Sequence, residues 1–329
     1  MKKQKFVSQA GVSSSGQVVD NPVWYFIVNP AGGGGTVHKR WPKIEALLRA
    51  SGITFNAVFT ERRFHAAQLA EQAIAEGRRH LVAVGGDGTA HEVVNGILRQ
   101  NTCPSEEVTC TLLPVGTGND WVKTHGIPKK TTHWVEFLKN GKTTFQDVGW
   151  LTYQADGTEQ KRYFINVAGL SYDAYVAKRA EAYKTQVSSA IFYLFLIFRC
   201  LFEYRVPRIR VVFDRMIVEK RLYTINIGIC RYSGGGLQLV PHAIPDDGKL
   251  ALTLAGHISK LGVLLITPFF YSGNIGWHPK VSMFQVEEIL VESADNQPVL
   301  VEADGEFLGE GPVQFGILPK ALKMLVPQT

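Results

Sequence analysis

The residues best suited to chemistry in this chain are carboxylates and hydroxyls set in glycine-rich turns. Gly85-Gly86-Asp87-Gly88-Thr89 follows the apolar run Leu81–Val84 and precedes a helix-like segment, 90–98. Strand, glycine turn and helix in that order leave backbone N–H groups free at a helix start, where an anion such as phosphate binds. Asp87 is the awkward component, because a carboxylate repels phosphate unless a metal or ordered water stands between them. The competing reading is a tight strand-to-helix turn with Asp87 solvated. Thr89 and Glu92 have the spacing of a capping box, which predicts a well-marked helix start.

Two further turns resemble this one in composition. Pro114-Val115-Gly116-Thr117-Gly118-Asn119-Asp120 carries two glycines, a hydroxyl, an amide and a carboxylate. Asn29 to Gly35 is rich in glycine but lacks the Gly-Lys-Ser/Thr ending of a P-loop. Later in the chain, Ala303-Asp304-Gly305-Glu306 is either a hairpin turn or a pair of carboxylates facing a cleft, one of them a general base. Asp246-Asp247-Gly248-Lys249 is a hairpin turn or a small cation site, and Asp147 is a capped turn or a cleft carboxylate. No Ser/His/Asp set and no His-x-x-x-His spacing occurs.

The elements that must position these groups alternate in the first part of the chain. Val23–Val28, Ile53–Phe59, Leu81–Val84 and Val108–Leu113 read as strands. Between them, Trp41, Ile44, Leu47 and Leu48, and then Ala66, Leu69, Ala70, Ala73 and Ile74, fall at helical spacing. Such alternation predicts a doubly wound α/β domain whose ligand turns open at the carboxyl ends of the strands. Past residue 145 strand-like runs follow one another: 163–167, 208–213, 221–229, 249–254, 286–291, 299–301 and 313–318. Helical stretches at 174–202 and 259–272 interrupt them. The expected fold is therefore α/β + β: a disordered tail over 1–20, an α/β domain over 21–145 and a β-sandwich-like domain with inserted helices over 146–329. The last residues return to the first domain in this reading.

With 329 residues, 45% hydrophobic and 19% charged, the chain is globular and large enough for two domains. A net charge of +6 favours anionic partners. The basic residues come in pairs, such as Arg62-Arg63 and Lys161-Arg162, which read as solvated surface. No long basic tract interleaves with aromatics, so nucleic acid is not an expected partner. Cys103, Cys110, Cys200 and Cys230 form no C-x-x-C, which fits a reducing compartment. Residues 1–20 lack the apolar core of a signal peptide, and Ala190–Phe198 is far short of the ~20 residues of a membrane span. A soluble, cytoplasmic chain that touches the bilayer peripherally is expected.

Taken in order, Asn29-Pro30 with its glycines, Gly85–Thr89, His91-Glu92-Val93-Val94-Asn95-Gly96, Pro114–Asp120, Asp147-Val148-Gly149, Asp247-Gly248 and Asp304-Gly305-Glu306 resemble the diacylglycerol kinase catalytic family, which includes soluble bacterial lipid kinases and sphingosine kinases. The resemblance implies a nucleotide-binding domain, a β-rich domain that binds lipid, and an active site between them. It implies ATP on Asn29, Thr60, Gly85, Gly86, Asp87, Gly88, Thr89, Ala90, His91, Gly116, Thr117 and Asn119. Asp87, Asp120 and Asp147 would form the acidic network around a nucleotide Mg²⁺. Glu306, with Asp304 beside it, matches the proton acceptor. The turn from Ile244 to Lys249 matches a structural magnesium site, with Asp247 supplying the carboxylate and Ile244 and Lys249 backbone oxygens. His91 stands where many bacterial members carry Asn.

The lipid would need an apolar slot, for which the residues of 192–198 and 261–270 are candidates, with Arg199, Arg205, Arg208 and Arg210 near anionic headgroups. The expected activity is ATP- and Mg²⁺-dependent phosphorylation of a lipid hydroxyl, diacylglycerol or a relative, giving a phospholipid such as phosphatidic acid. A sphingosine kinase, a soluble-metabolite kinase of the NAD kinase type and a non-catalytic sensor are the alternatives. The lipid substrate and the membrane surface are the expected partners, and a homodimer is compatible with the reading.

Overall fold

The computed structural model describes residues 22–116, 119–182 and 190–328, leaving aside the side chains of 182 and 190–194. The expected tail, Thr117 and Gly118 of the second turn, and the middle of the 174–202 stretch lie outside the described residues.

In chain order the first half contains β1 (Trp24–Val28), α1 (Gly32–Ala50), β2 (Phe55–Phe59), α2 (His65–Ala75), β3 (His80–Gly85), α3 (Asp87–Arg99), β4 (Thr109–Pro114), α4 (Asp120–Thr124) and α5 (Thr131–Asn140). β1, β3 and β4 are buried along almost their whole length, which is why they read as continuous apolar runs rather than alternating ones. They pair in parallel in the order β2-β1-β3-β4. α1 buries Val37, Trp41, Ile44 and Leu48, a single stripe at helical spacing. Its nominal first residues, Gly33 to Gly35, are left-handed, so the glycine turn expected at 29–36 is a turn.

The second half contains β5 (Lys142–Ala155), β6 (Thr158–Phe164), β7 (Val167–Ser171), α6 (Tyr172–Ala182), α7 (Ala190–Glu203), β8 (Arg208–Phe213), β9 (Met216–Gly228), β10 (Tyr232–Ser233), β11 (Leu237–Gln238), β12 (Leu250–Gly256), α8 (Lys260–Ser272), β13 (Val281–Val286), β14 (Ile289–Ser293), β15 (Leu300–Ala303) and β16 (Glu306–Val326). Apart from the contact of β16 with β4, their ladders are antiparallel. No described helix is long and apolar enough to cross a membrane.

One strand joins the halves. β16 pairs antiparallel with β5, from Glu310↔Gln154 to Val326↔Lys142, and its end runs parallel to β4 at Lys323↔Thr109 and Met324↔Cys110. The parallel strands and most of the antiparallel ones thus form one hydrogen-bonded sheet. The expected boundary at 145/146 falls inside β5, not between elements. The reason is visible in its burial: residues 142, 143 and 145 are exposed and 144 is half-buried, while 146–149 are buried, so its first residues read as a loop. The single strand expected over 163–167 is broken at Ile165 and Asn166, whose N–H groups leave the ladder for the carboxylate of Asp304.

Candidate active site

The three glycine turns of the first half converge. A Cβ on Gly116 would lie 3.1 Å from the Cα of Gly86, and one on Gly33 would lie 3.0 Å from the carbonyl oxygen of Val115. Gly33 also sits at φ 59°, where a side chain adds strain. At these two approaches backbone meets backbone. The N–H groups of Val115 and Gly116 both donate to the carbonyl of Gly85, and Asn29 Nδ2 donates to Thr89 Oγ1 at 3.1 Å. Asn119, left-handed at φ 57°, donates its amide to the carbonyl of Gly116, while its buried Oδ1 has no partner among the described residues. Thr60 follows β2 and donates its N–H to Val28. Ala90 is buried in the first turns of α3. Thr117 lies outside the described residues.

The capping box does not form. Thr89 is taken by Asn29, and the carboxylate of Glu92 accepts from the N–H groups of Phe64 at 2.9 Å and Ala66 at 3.0 Å. Glu92 therefore caps α2, not its own helix. The close packing of α2 on α3 brings foreign N–H groups nearer than its own.

Asp87 also acts across elements. Its two oxygens accept from the N–H groups of Asp120 at 2.8 Å and Trp121 at 3.0 Å, capping the start of α4. Burial pushes its carboxyl up to about 6, against those two donors. Asp120 in turn accepts from Gly235 N–H at 2.8 Å, which ties the first half to the β10–β11 loop of the second. Burial raises its carboxyl as well.

Asp147 is brought elsewhere. It is fully buried and accepts from Lys320 N–H and Gly248 N–H, each at 2.7 Å. Its own N–H donates to Pro245, so it holds the 244–249 turn closed. There Asp247 accepts from Lys249 N–H at 3.0 Å and from Gln285 Nε2 at 3.1 Å, while Ile244 is exposed. The acidic network expected from Asp87, Asp120 and Asp147 is thus divided, with Asp147 beside the later turn. Among the described residues no three His, Cys, Asp or Glu side chains gather closely enough to hold a metal. Both oxygens of Asp87, of Asp147 and of Asp247 are engaged by N–H donors. This donor set does not fit a metal cage made by protein side chains alone.

The Asp304-Gly305 pair is a hairpin turn. Asp304 (φ 49°) and Gly305 (φ 83°) connect Ala303 to Glu306, which are paired in the ladder. The Asp304 side chain turns inward to meet His91 Nδ1 at 2.8 Å and the N–H groups of Ile165 and Asn166. With three partners and a fully buried carboxylate, Asp304 is committed to holding this junction. His91 is likewise buried, its other nitrogen facing Asn95.

Glu306 is the accessible member. Its Oε1 lies 3.9 Å from where a Cβ on Gly88 would stand, at the opening of α3. Its Oε2 is 3.2 Å from Arg63 Nη2, and Arg63 Nη1 is 2.7 Å from Glu181 Oε1. Burial pushes the Glu306 carboxyl up, but His91, Arg63 and Arg162 outweigh it and hold it below its ordinary range. A cavity of about 310 Å³ opens here, lined by Arg63, Phe64, Tyr153, Arg162, Glu306 and Phe307 among others. The guanidinium of Arg162 stacks 4.1 Å from the Phe64 ring. Sequence reasoning missed both arginines, since each belongs to a basic pair that reads as surface. The signal available was the position of Arg63 just after β2, at the same end of the sheet as the glycine turns.

Residues 23–151 match the diacylglycerol kinase catalytic domain, and residues 166–326 match the YegS C-terminal NAD kinase beta sandwich-like domain. The chain belongs to the diacylglycerol kinase catalytic family. It is therefore a phosphotransferase with an alcohol group as acceptor. Relatives of this kinase include a diacylglycerol kinase of Staphylococcus haemolyticus, 26% identical over 92% of this chain and 87% of its own. One from Staphylococcus epidermidis is 27% identical over 92% and 91%. A solved diacylglycerol kinase structure from Bacillus anthracis str. Sterne superposes with a TM-score of 0.67 at 20% identity, covering 94% of this kinase and 98% of that chain, and so shares its fold.

Proposed function

We propose that the kinase transfers the γ-phosphoryl group of ATP to the hydroxyl of a lipid, diacylglycerol or a close relative. In this reading the first half is a doubly wound nucleotide layer and the second a lipid-binding sandwich carrying α6 to α8. The observation that carries it is Glu306: a carboxylate from the second half stands at the start of α3, beside the glycine turns of the first. Leading N–H groups of a helix lack intrahelical partners and favour phosphate. The converging glycines let a polyphosphate approach backbone without meeting side chains.

Glu306, held ionised by His91, Arg63 and Arg162, accepts the proton of the acceptor hydroxyl. The hydroxyl oxygen of the acceptor forms the new bond to the γ-phosphorus, and the bond to the β-phosphate oxygen breaks, releasing ADP. Arg63 and Arg162 stand where they also face the charge on the transferred group. The cavity of Phe64, Tyr153 and Phe307 offers an apolar wall to the acceptor beside that base. Magnesium, if it enters with the nucleotide, would supply charge neutralisation at the phosphates.

The test is incubation with labelled ATP, magnesium and a total lipid extract, with NAD and sugars in parallel, followed by mass analysis of the labelled product. A phosphorylated lipid is expected. Label in NAD or sugar would replace the lipid reading, and no label in any mixture would end it.

A further inference from the structure

The end of α7 and the start of α8 meet, with Lys260 Nζ donating to the carbonyl of Phe202, and both helices contribute to one hydrophobic cluster. Leu196, Cys200 and Leu201 are buried, and Val263 and Leu264 rest on that cluster. Among its described residues α8 buries Ile266 alone. On the outward side Phe198 and Phe202 of α7 are 41% and 62% exposed, and Leu261, Leu265 and Phe269 of α8 are 67%, 68% and 41% exposed. The spacing of four residues places each set on one stripe. Single exposed apolar residues are ordinary, but adjoining stripes make a patch of the kind that marks an interaction surface.

Beside this patch a cavity of about 510 Å³ opens between the end of α7, the start of α8 and β9. Arg205, Arg221 and Lys260 line it against one carboxylate, Asp295. Asp295 is already committed, accepting from the N–H groups of Arg208 at 2.8 Å and Gln297 at 3.3 Å. The neighbouring arginines are paired: Arg199 with Glu203, Arg208 with Glu219 and Arg210 with Glu292. Arg205 and Arg221 have no ion-pair or hydrogen-bond partner among the described residues. Of the four arginines that the sequence placed near headgroups, therefore, only Arg205 is unpaired, and Arg221 joins it from β9.

We propose that this face docks on a bilayer, with the outward stripes of α7 and α8 among the acyl chains and Arg205 and Arg221 on the phosphate of an anionic lipid. Unpaired guanidinium groups beside an apolar patch match the layering of a membrane surface, where charge lies a few ångströms above hydrocarbon. A second copy of the chain fits less well. A two-fold interface sets the same patch against itself and would bring like charges together.

The test is sedimentation of the full chain with vesicles of phosphatidylcholine alone or containing phosphatidylglycerol, without nucleotide, so the result does not depend on turnover. The Arg205→Gln, Arg221→Gln double variant should bind anionic vesicles about 25-fold more weakly, from ~1 kcal/mol per basic residue, and neutral vesicles as the wild type does. Phe202→Ser with Leu265→Ser should weaken binding to both, and unchanged thermal melting of each variant shows that it is folded. Wild-type binding by both folded variants, or no vesicle binding by the wild type, would overturn the proposal. A concentration-dependent dimer abolished by the Phe202 and Leu265 substitutions would overturn it too, by giving the face to a second copy.

Discussion

Arg63 and Glu306 meet across the two halves of the kinase at 3.2 Å, and the same guanidinium reaches Glu181 of α6 at 2.7 Å. One exposed side chain of the β2–α2 connection thereby fixes one oxygen of the carboxylate that faces α3. The other oxygen remains on the side of Gly88.

Removing the carboxylate charge at that position should separate binding from transfer. Glu306→Gln is expected to lower kcat by about 10²–10⁴-fold, the usual worth of a positioned base. Nucleotide affinity, measured by calorimetry, should stay within a few-fold of the wild type. Full turnover in this variant would remove Glu306 from the mechanism.

The Arg63 contact predicts a change in pH profile. A neighbouring cation favours the ionised carboxyl, so its loss raises the pKa of Glu306. In Arg63→Ala the acidic limb of kcat/KM should move to higher pH, and Arg63→Lys should restore part of the shift. An unshifted limb with uniformly lower activity would reduce Arg63 to a structural link.

Close approach of two turns predicts the effect of one methyl group. In Gly116→Ala the new Cβ would stand 3.1 Å from the Cα of Gly86, forcing the turns apart. Overpacking of this kind costs about 1–3 kcal/mol. ATP affinity should fall at least tenfold while the parallel sheet persists, measurable by nucleotide titration and circular dichroism on one sample.

Asp87 predicts a pH dependence of stability with a definite sign. Its carboxyl is raised to about 6 by burial, against two backbone donors, so between about pH 4 and 6 the folded chain binds the proton more readily than the unfolded chain. Its contribution is fully present below the ordinary carboxylate range and is lost as pH rises through about 6. The loss is roughly 2–3 kcal/mol. Urea denaturation from about pH 4 to 7 should show the wild type losing stability relative to Asp87→Asn as pH rises.

Much of this was legible because it depends on local chemistry. Buried parallel strands announce themselves as apolar runs, and glycine turns between strand and helix mark where a chain approaches a ligand closely. Asp304-Gly305 could be read as a hairpin or as part of a carboxylate pair facing a cleft; it is a hairpin whose Asp side chain turns inward, while Glu306 lines the neighbouring cavity. What sequence could not supply was the partner of each polar group. Glu92 has the spacing to cap its own helix and caps the neighbouring one. Asp147 of β5 is claimed by Gly248 of the 244–249 turn and by Lys320 of β16. Arg63 looks like half of a solvated basic pair until the fold brings Glu306 and Glu181 to it. Each of these pairings joins residues far apart in the chain, and no local pattern records them.

The strand that begins at Glu306 and ends beside β4 has a consequence for synthesis. A ribosome releases β4 early and its β16 neighbour only after the whole second half has emerged. During that interval the edge of β4 is an open template for other strands. The chain must wait for, or be shielded until, the segment that seals it. The same segment brings Glu306, the proposed proton acceptor, so completion of the parallel layer and arrival of that carboxylate are a single event in time.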